Sequence, residues 1–138
     1  MGPAPRSSKT SAPTRRVVVC ENHRPGVDPI TDALRCEGVE ASSCADGATL
    51  LEEVMRTPPD VVIFLLRPGN ASDIGVLELL RRAAPVLPLV IVASSGSLDT
   101  QKLVQDLRPI YYAVWPVEGQ ELCAAIQAAL ARRGHPAV

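Results

Sequence analysis

The chain has 138 residues, of which 46% are apolar and 21% are charged, and its formal net charge is -1. This length suffices for one domain with its own core, and the near-neutral charge gives no electrostatic reason to expect bound nucleic acid. No apolar run approaches the roughly 18 residues that a membrane-spanning helix needs, which excludes membrane insertion as well. The composition therefore predicts a small globular domain in the cytoplasm.

The composition divides the chain into three parts. Residues 1–14 are rich in Pro, Ser and Ala and show no hydrophobic period, so we expect a disordered tail there. Residues 15–134 alternate apolar runs with amphipathic stretches, which predicts one folded domain. Residues 135–138 are expected to form a loose end.

Apolar runs and amphipathic stretches follow one another five times within the folded part. Continuous runs rich in Val and Ile are typical of parallel strands that are buried on both faces. The strand-like runs are residues 16–20, 39–44, 60–66, 88–93 and 110–114. The stretches with helical spacing are residues 28–37, 48–56, 72–84, 99–107 and 118–133.

Four residues give local detail to this outline. Gly38 is expected to end the first helix, and Asp46 is expected to cap the second. Helical spacing assigns Met55 and Leu103 to the inward faces of the second and fourth helices.

Five strand–helix units predict an α/β fold of the flavodoxin-like (βα)5 type. In this three-layer sandwich, a parallel sheet carries helices on both of its faces. We expect the strand order 2-1-3-4-5, because the second strand is the most polar and therefore suits an edge of the sheet.

Functional sites in open parallel sheets lie at the carboxyl ends of the strands. That edge of the predicted sheet carries one carboxylate, few hydroxyls and no lysine. The residues concerned are Glu21, Asn22 and His23 after the first strand, Leu65 at the third, Ala93 and Ser94 at the fourth, and Trp115 after the fifth.

The cysteines give no indication of a metal site. They form no CxxC motif, and His23 and His135 are not spaced as zinc ligands. Each cysteine lies among apolar neighbours, so we expect buried, reduced thiols and neither a metal nor a cofactor. The four are Cys20, Cys36, Cys44 and Cys123.

Several segments, in their order and spacing, resemble the receiver domains of bacterial response regulators. Residues 59–65 (PDVVIFL) are similar to the strand that ends in the phospho-accepting aspartate of that family. Residues 88–93 (PLVIVA) are similar to the strand that ends in its Thr or Ser. Residues 107–116 have the spacing of the passage that ends in its Lys-Pro. The resemblance covers about residues 15–133, and it implies a signalling domain with the fold described above.

The same resemblance implies that the family's chemistry is lost. The acid pair that holds Mg²⁺ in receivers falls on Glu21 and Asn22, so one charge is missing. The phospho-accepting aspartate falls on Leu65, or on Phe64 with a shorter loop, and neither is a nucleophile. In the remaining positions the family's hydroxyl falls on Ala93, next to Ser94, its lysine falls on Trp115, and its aromatic residue is retained as Tyr112.

Two roles remain open for Trp115. It either packs with Leu65 and Ala93 to fill the former pocket, or it stands exposed as an anchor for a partner. Tyr111 and Tyr112 alternate in direction along their strand, so one faces each side of the sheet. The resemblance places partner binding at Tyr111, Tyr112 and Trp115, and it suggests a cis peptide between Trp115 and Pro116.

We therefore expect an atypical, stand-alone receiver-like domain that acts without phosphorylation and is not an enzyme. Its expected partners are signalling proteins, such as a kinase, a receiver or an output protein, or a second copy of the chain. They would bind the face that the fourth helix, the fifth strand and the fifth helix form.

Three alternatives stay open. Residues 21–26 (ENHRPG) resemble the DxHxxG loop of cobalamin-binding domains, in which the histidine ligates cobalt. A conventional receiver with a displaced phosphorylation site is the second alternative. The third is a small enzyme that uses Ser94 or Ser95 with His23.

Overall fold

The computed structural model describes residues 15–22, 28–36, 38–67, 70–94 and 98–133. The expected tail at 1–14 and the expected loose end at 135–138 lie outside this range. The elements are β1 (Arg16–Cys20), α1 (Asp28–Cys36), β2 (Glu40–Cys44), α2 (Gly47–Arg56), β3 (Val61–Leu66), α3 (Ala71–Ala83), β4 (Leu89–Ala93), α4 (Leu98–Asp106), β5 (Tyr111–Val114) and α5 (Gly119–Arg133).

The five strands form one parallel sheet with the order β2-β1-β3-β4-β5. The flavodoxin-like fold and the strand order that the sequence predicted are therefore confirmed. The polar strand β2, with the sequence EASSC, lies at one edge, and the short strand β5 lies at the other. The three central strands are the apolar ones and are buried on both faces.

Alternating side chains on the central strands build two cores, one on each face of the sheet. Val19, Ile63 and Leu65 belong to the first core, which α1 and α5 cover. Cys20 and Phe64 belong to the second core, which α2, α3 and α4 cover. The core to which a strand residue belongs therefore shows which helices its side chain faces.

Two inward assignments from helical spacing are wrong. Met55 is 71% exposed and Leu103 is 46% exposed. Each follows or precedes a residue that does face the sheet, Val54 on α2 and Val104 on α4. Successive residues of a helix point about 100° apart, so one row of side chains suffices to cover the sheet while its neighbour stays in solvent.

Both expected caps are present. Gly38 has φ +82, a left-handed conformation that glycine adopts without strain, and its amide donates to the carbonyl of Arg35 at the end of α1. Asp46 caps α2, because its side chain accepts a hydrogen bond of 2.9 Å from the amide of Thr49.

Arg81 on α3 fixes the residues that directly follow α4. Its guanidinium donates to the carbonyls of Leu107 and Leu87, each at 2.9 Å, and to that of Pro85 at 3.0 Å. Burial lowers the pKa of Arg81. One side chain of α3 thereby joins the turn before β4 to the residues that directly follow α4.

Candidate functional site

The register brings the predicted site residues to one edge of the sheet. Cys20 pairs with Phe64, Leu66 pairs with Ala93, and Ala93 pairs with Val114, so β1, β3, β4 and β5 end side by side. Glu21, Asn22, Leu65, Ala93, Ser94 and Trp115 therefore lie at this carboxyl edge, which we call the rim. His23 and Ser95 fall outside the described residues.

Asn22 closes the rim between β1 and β3. It is 3% exposed, and its backbone is left-handed, with a φ of 50. Its amide Nδ2 donates to the carbonyl of Leu65 at 2.5 Å, and its Oδ1 accepts from the thiol of Cys20 at 3.6 Å. The Asn22 side chain thus joins the end of β1 to the end of β3, and we call this link the clasp. An aspartate could not form it, because a carboxylate has no hydrogen to donate to the carbonyl of Leu65.

The floor of the rim is apolar. Leu65 is 2% exposed and belongs to the first core, and Ala93 is fully buried. Ser94 is half-buried, and its amide donates to the carbonyl of Leu66 at 3.1 Å. The side chains of Leu65 and Ala93 are thus aliphatic and shielded from water.

Trp115 directly follows β5 at the rim. It is half-buried and packs on the first core, the cluster to which Leu65 belongs, while its amide donates to the carbonyl of Ala93 at 2.7 Å. The Trp115–Pro116 peptide is cis, as expected. Both open roles, the plug of the former pocket and the anchor for a partner, stay predictions.

The two tyrosines of β5 face opposite sides, as their alternation predicted. Tyr111 packs against the first core and Tyr112 against the second. The hydroxyl of Tyr112 is buried and finds no hydrogen-bond partner among the residues that the structure describes. Both tyrosines line a groove of about 550 Å³ beside α4 and the turn before β5.

Two aspartates near β3, Asp60 and Asp73, are candidates for a displaced phosphorylation site, and both carboxylates accept hydrogen bonds from arginine residues. Asp73 on α3 is 2% exposed and accepts three hydrogen bonds of 2.7–3.0 Å from the backbone and guanidinium of Arg67. Its hydrogen bonds raise the pKa of Arg67. Asp60 lies at the opposite end of β3 and accepts from the amide of Arg16 at 2.8 Å.

Sequence reasoning missed both the clasp and the Arg67–Asp73 pair. An Asn directly after a buried strand was visible in the sequence, but its acceptor on β3 was not. Across the described segments, no group of three or more His, Cys, Asp or Glu side chains is arranged to hold a metal ion. No described helix is long and apolar enough to cross a bilayer.

Known proteins resemble this chain in sequence over most of its length. The sensory transduction protein RegX3 of Mycobacterium tuberculosis is 32% identical over 119 residues, which cover 86% of this chain and 52% of RegX3. The transcriptional regulatory protein PrrA of Mycobacterium leprae is 27% identical over 125 residues, or 91% of this chain and 54% of PrrA. The chain spans about half the length of these curated relatives. No protein-family model matches it.

Solved structures show the same fold. A CheY-like response regulator receiver domain protein from Methanospirillum hungatei has a TM-score of 0.78 at 18% identity, covering 86% of this chain and 95% of that one. A response regulator from Thermotoga maritima has a TM-score of 0.77 at 13% identity, covering 87% and 100%.

In sequence and in fold, the chain resembles the receiver domains of two-component response regulators. The resemblance that the sequence indicated is therefore confirmed.

Proposed function

We propose that this receiver-like domain is degenerate, that it binds signalling proteins without being phosphorylated, and that it catalyses no reaction. The observation that carries the proposal is the closed rim. Asn22 and Leu65, which stand where receivers carry acidic residues, are hydrogen-bonded to each other and buried.

The rim does not fit the chemistry of aspartyl phosphorylation. That reaction needs a carboxylate nucleophile and a cation that neutralises the phosphoryl charge. Mg²⁺ prefers several oxygen ligands with one or two carboxylates, whereas the rim offers Glu21 beside an Asn22 whose amide is already engaged. A phosphoryl group and its metal would have to displace the clasp and enter an aliphatic floor.

A displaced phosphorylation site finds little support in the described acids. Both oxygens of the Asp73 carboxylate accept hydrogen bonds from the Arg67 guanidinium, whose positive charge makes the carboxylate a weaker nucleophile. Asp60 lies at the far end of its strand. The cobalamin alternative rests on residues 21–26 and the enzyme alternative on His23 with Ser94 or Ser95. Both need His23, which lies outside the described residues, as does Ser95.

The proposed binding surface is the face formed by α4, β5 and α5. Ile110 and Val114 are 37% and 39% exposed there, and Ile110 lines the groove together with Tyr111 and Tyr112. Exposed apolar and aromatic side chains around a groove are the usual anchors of protein interfaces. We propose that the partner is a kinase, a receiver or an output protein, or a second copy of the chain.

The cytoplasm is the location that goes with this proposal. Among the described residues, Cys20, Cys44 and Cys123 form no disulfide. Free thiols are typical of compartments that keep cysteines reduced.

An amide NMR titration tests the rim. We expect the resonances of Glu21, Asn22 and Leu65 to stay unchanged with Mg²⁺, and again with Mg²⁺ plus beryllofluoride, because no carboxylate pair is free to bind either. A corrinoid added last tests the cobalamin alternative. Shifts at the rim with Mg²⁺ and beryllofluoride would show a working phosphorylation site, and shifts with the corrinoid alone would favour a cobalamin-binding domain.

Two matched aspartate variants test the binding face. Ile110→Asp and Met55→Asp each place a charge on an exposed apolar position, the first in the groove just before β5 and the second on α2. We expect Ile110→Asp to reduce self-association in sedimentation, or capture of a specific signalling partner, by about tenfold or more, which corresponds to about 1.4 kcal/mol. Met55→Asp should leave both unchanged. Equal effects of the two variants would argue against the proposed face.

A further inference from the structure

Cys20 and Cys44 face each other where β1 and β2 end at the rim. The register pairs these two residues, and just beyond them the amide of Glu21 donates to the carbonyl of Cys44 at 2.9 Å. Paired residues of neighbouring strands point to the same face of a sheet, and both cysteines belong to the second core. Both thiols are free and buried.

The spacing of the two strands suits a disulfide. Neighbouring strands lie about 4.8 Å apart, within the range of roughly 4.4–6.8 Å between Cα atoms that a disulfide spans. Cys44 is the last residue of an edge strand, which pairs on one side alone, and it is 7% exposed, whereas Cys20 is fully buried. The end of β2 can therefore adjust to the bond, and Cys44 is the sulfur that a small oxidant reaches first.

The two thiols differ in acidity. A hydrogen bond from the thiol of Cys20 lowers the pKa of Cys44, although burial and the nearby carboxylates of Asp46, Glu53 and Glu21 oppose this. The same contact, together with burial, raises the pKa of Cys20. Because the thiolate is the form that reacts with oxidants, Cys44 is the attacking sulfur and Cys20 the resolving one.

The pair is connected to the clasp. Cys20 has one thiol proton, and besides the Cys44 sulfur it faces Oδ1 of Asn22 at 3.6 Å. Nδ2 of the same Asn22 amide holds the carbonyl of Leu65. Any change that removes the thiol proton of Cys20 takes away a hydrogen-bond donor from the residue that closes the rim.

We propose that Cys44 and Cys20 form a reversible disulfide when the domain meets hydrogen peroxide, and that this bond loosens the Asn22 clasp. The Cys44 thiolate attacks the peroxide, the O–O bond breaks, hydroxide leaves, and Cys44 becomes a sulfenic acid. The Cys20 sulfur then attacks the Cys44 sulfur, the S–O bond breaks, and water leaves with the thiol proton. Two electrons pass from the two sulfurs to the peroxide, and a dithiol reductant reverses the reaction.

This inference stands independently of the proposed binding function. Disulfides in reducing compartments are usually transient and redox-sensing, which agrees with the free thiols of the unoxidised domain.

Thiol counting on the full chain tests the bond. The reduced protein is treated with hydrogen peroxide, unfolded in acid, alkylated with a maleimide and weighed by intact mass spectrometry. We expect two of the four thiols to be lost, one peptide pair that joins Cys20 to Cys44, and full recovery with dithiothreitol. Sulfinic acid at Cys44 without the peptide pair, or a bond to another cysteine, would overturn the proposal.

A matched variant and a second readout separate the bond from general oxidation. Cys123→Ser changes a buried cysteine of the first core and should retain the bond, whereas Cys44→Ser, or Cys44→Ala if the serine variant does not fold, should abolish it. The side-chain amide resonances of Asn22 should shift on oxidation of the wild type and of Cys123→Ser, but not of the Cys44 variant. Resonances of Asn22 that stay fixed while the bond forms would refute the coupling to the clasp.

Discussion

Replacing Leu65 by aspartate should destabilise the domain by about 4 kcal/mol at neutral pH instead of restoring a phosphorylation site. Leu65 is 2% exposed and packs in the first core, so the new carboxylate loses its hydration and gains no described cation in exchange. Urea unfolding measures the effect, with the fluorescence of Trp115, the one tryptophan of the chain, as the probe.

The dependence of this effect on pH identifies the buried charge as its cause. Burial penalises the charged form, so an aspartate at position 65 has a higher pKa in the folded than in the unfolded state. The folded state then binds the proton more tightly, and the stability of the variant rises as the pH falls from the raised pKa toward the unfolded value of about 3.9. The Leu65→Asn variant serves as the reference at each pH, because asparagine has nearly the same shape as aspartate and carries no charge.

The outcome also bears on the proposed function. A Leu65→Asp variant as stable as the wild type, with rim resonances that shift on addition of Mg²⁺ and beryllofluoride, would mean that the rim is an open site. The proposal of a closed rim would then be wrong.

Asn22→Asp should cost about 3 kcal/mol of unfolding free energy, because it buries a carboxylate against the carbonyl of Leu65. Asn and Asp are nearly isosteric, and both tolerate a left-handed backbone such as the φ of 50 at this position. The expected loss therefore comes from exchanging a donor for an acceptor. Denaturant unfolding at neutral pH measures it.

Asn70→Asp is the matched control. The side chain of Asn70 caps α3 by accepting a hydrogen bond of 2.9 Å from the amide of Asp73, a role that an aspartate fills equally well. We expect a change within about 0.5 kcal/mol at this position. If the two substitutions had equal effects, the clasp would contribute nothing to stability.

The sequence was sufficient for the fold because its signals are local and repeated. Apolar runs of β-branched residues and amphipathic stretches alternate five times, and the polar run at residues 40–44 marked an edge strand before the register was known. Helical spacing was less reliable for single side chains. It assigned both Val54 and Met55 to the inward face of α2, but only Val54 is buried. Helical spacing indicates which residues lie side by side on the helix, and it does not indicate how wide the buried face is.

The site was only partly predictable, for a physical reason. The positions of Asn22, Leu65 and Trp115 at the rim followed from the order of the elements. The hydrogen bond between Asn22 and Leu65 did not, because it depends on the left-handed turn at Asn22 and on the pairing of β1 with β3. The Cys20–Cys44 pair likewise exists through the register of two strands that a helix separates in sequence.

The buried hydroxyl of Tyr112 makes the proposed binding face locally frustrated. A buried donor without an acceptor costs about 1–3 kcal/mol, and none of the described residues supplies that acceptor. In the unbound domain this cost lowers the free energy of unfolding. Any rearrangement of the face that gives the hydroxyl an acceptor recovers it, so a complex of that kind would gain affinity from the relief of strain in the free domain as well as from new contacts.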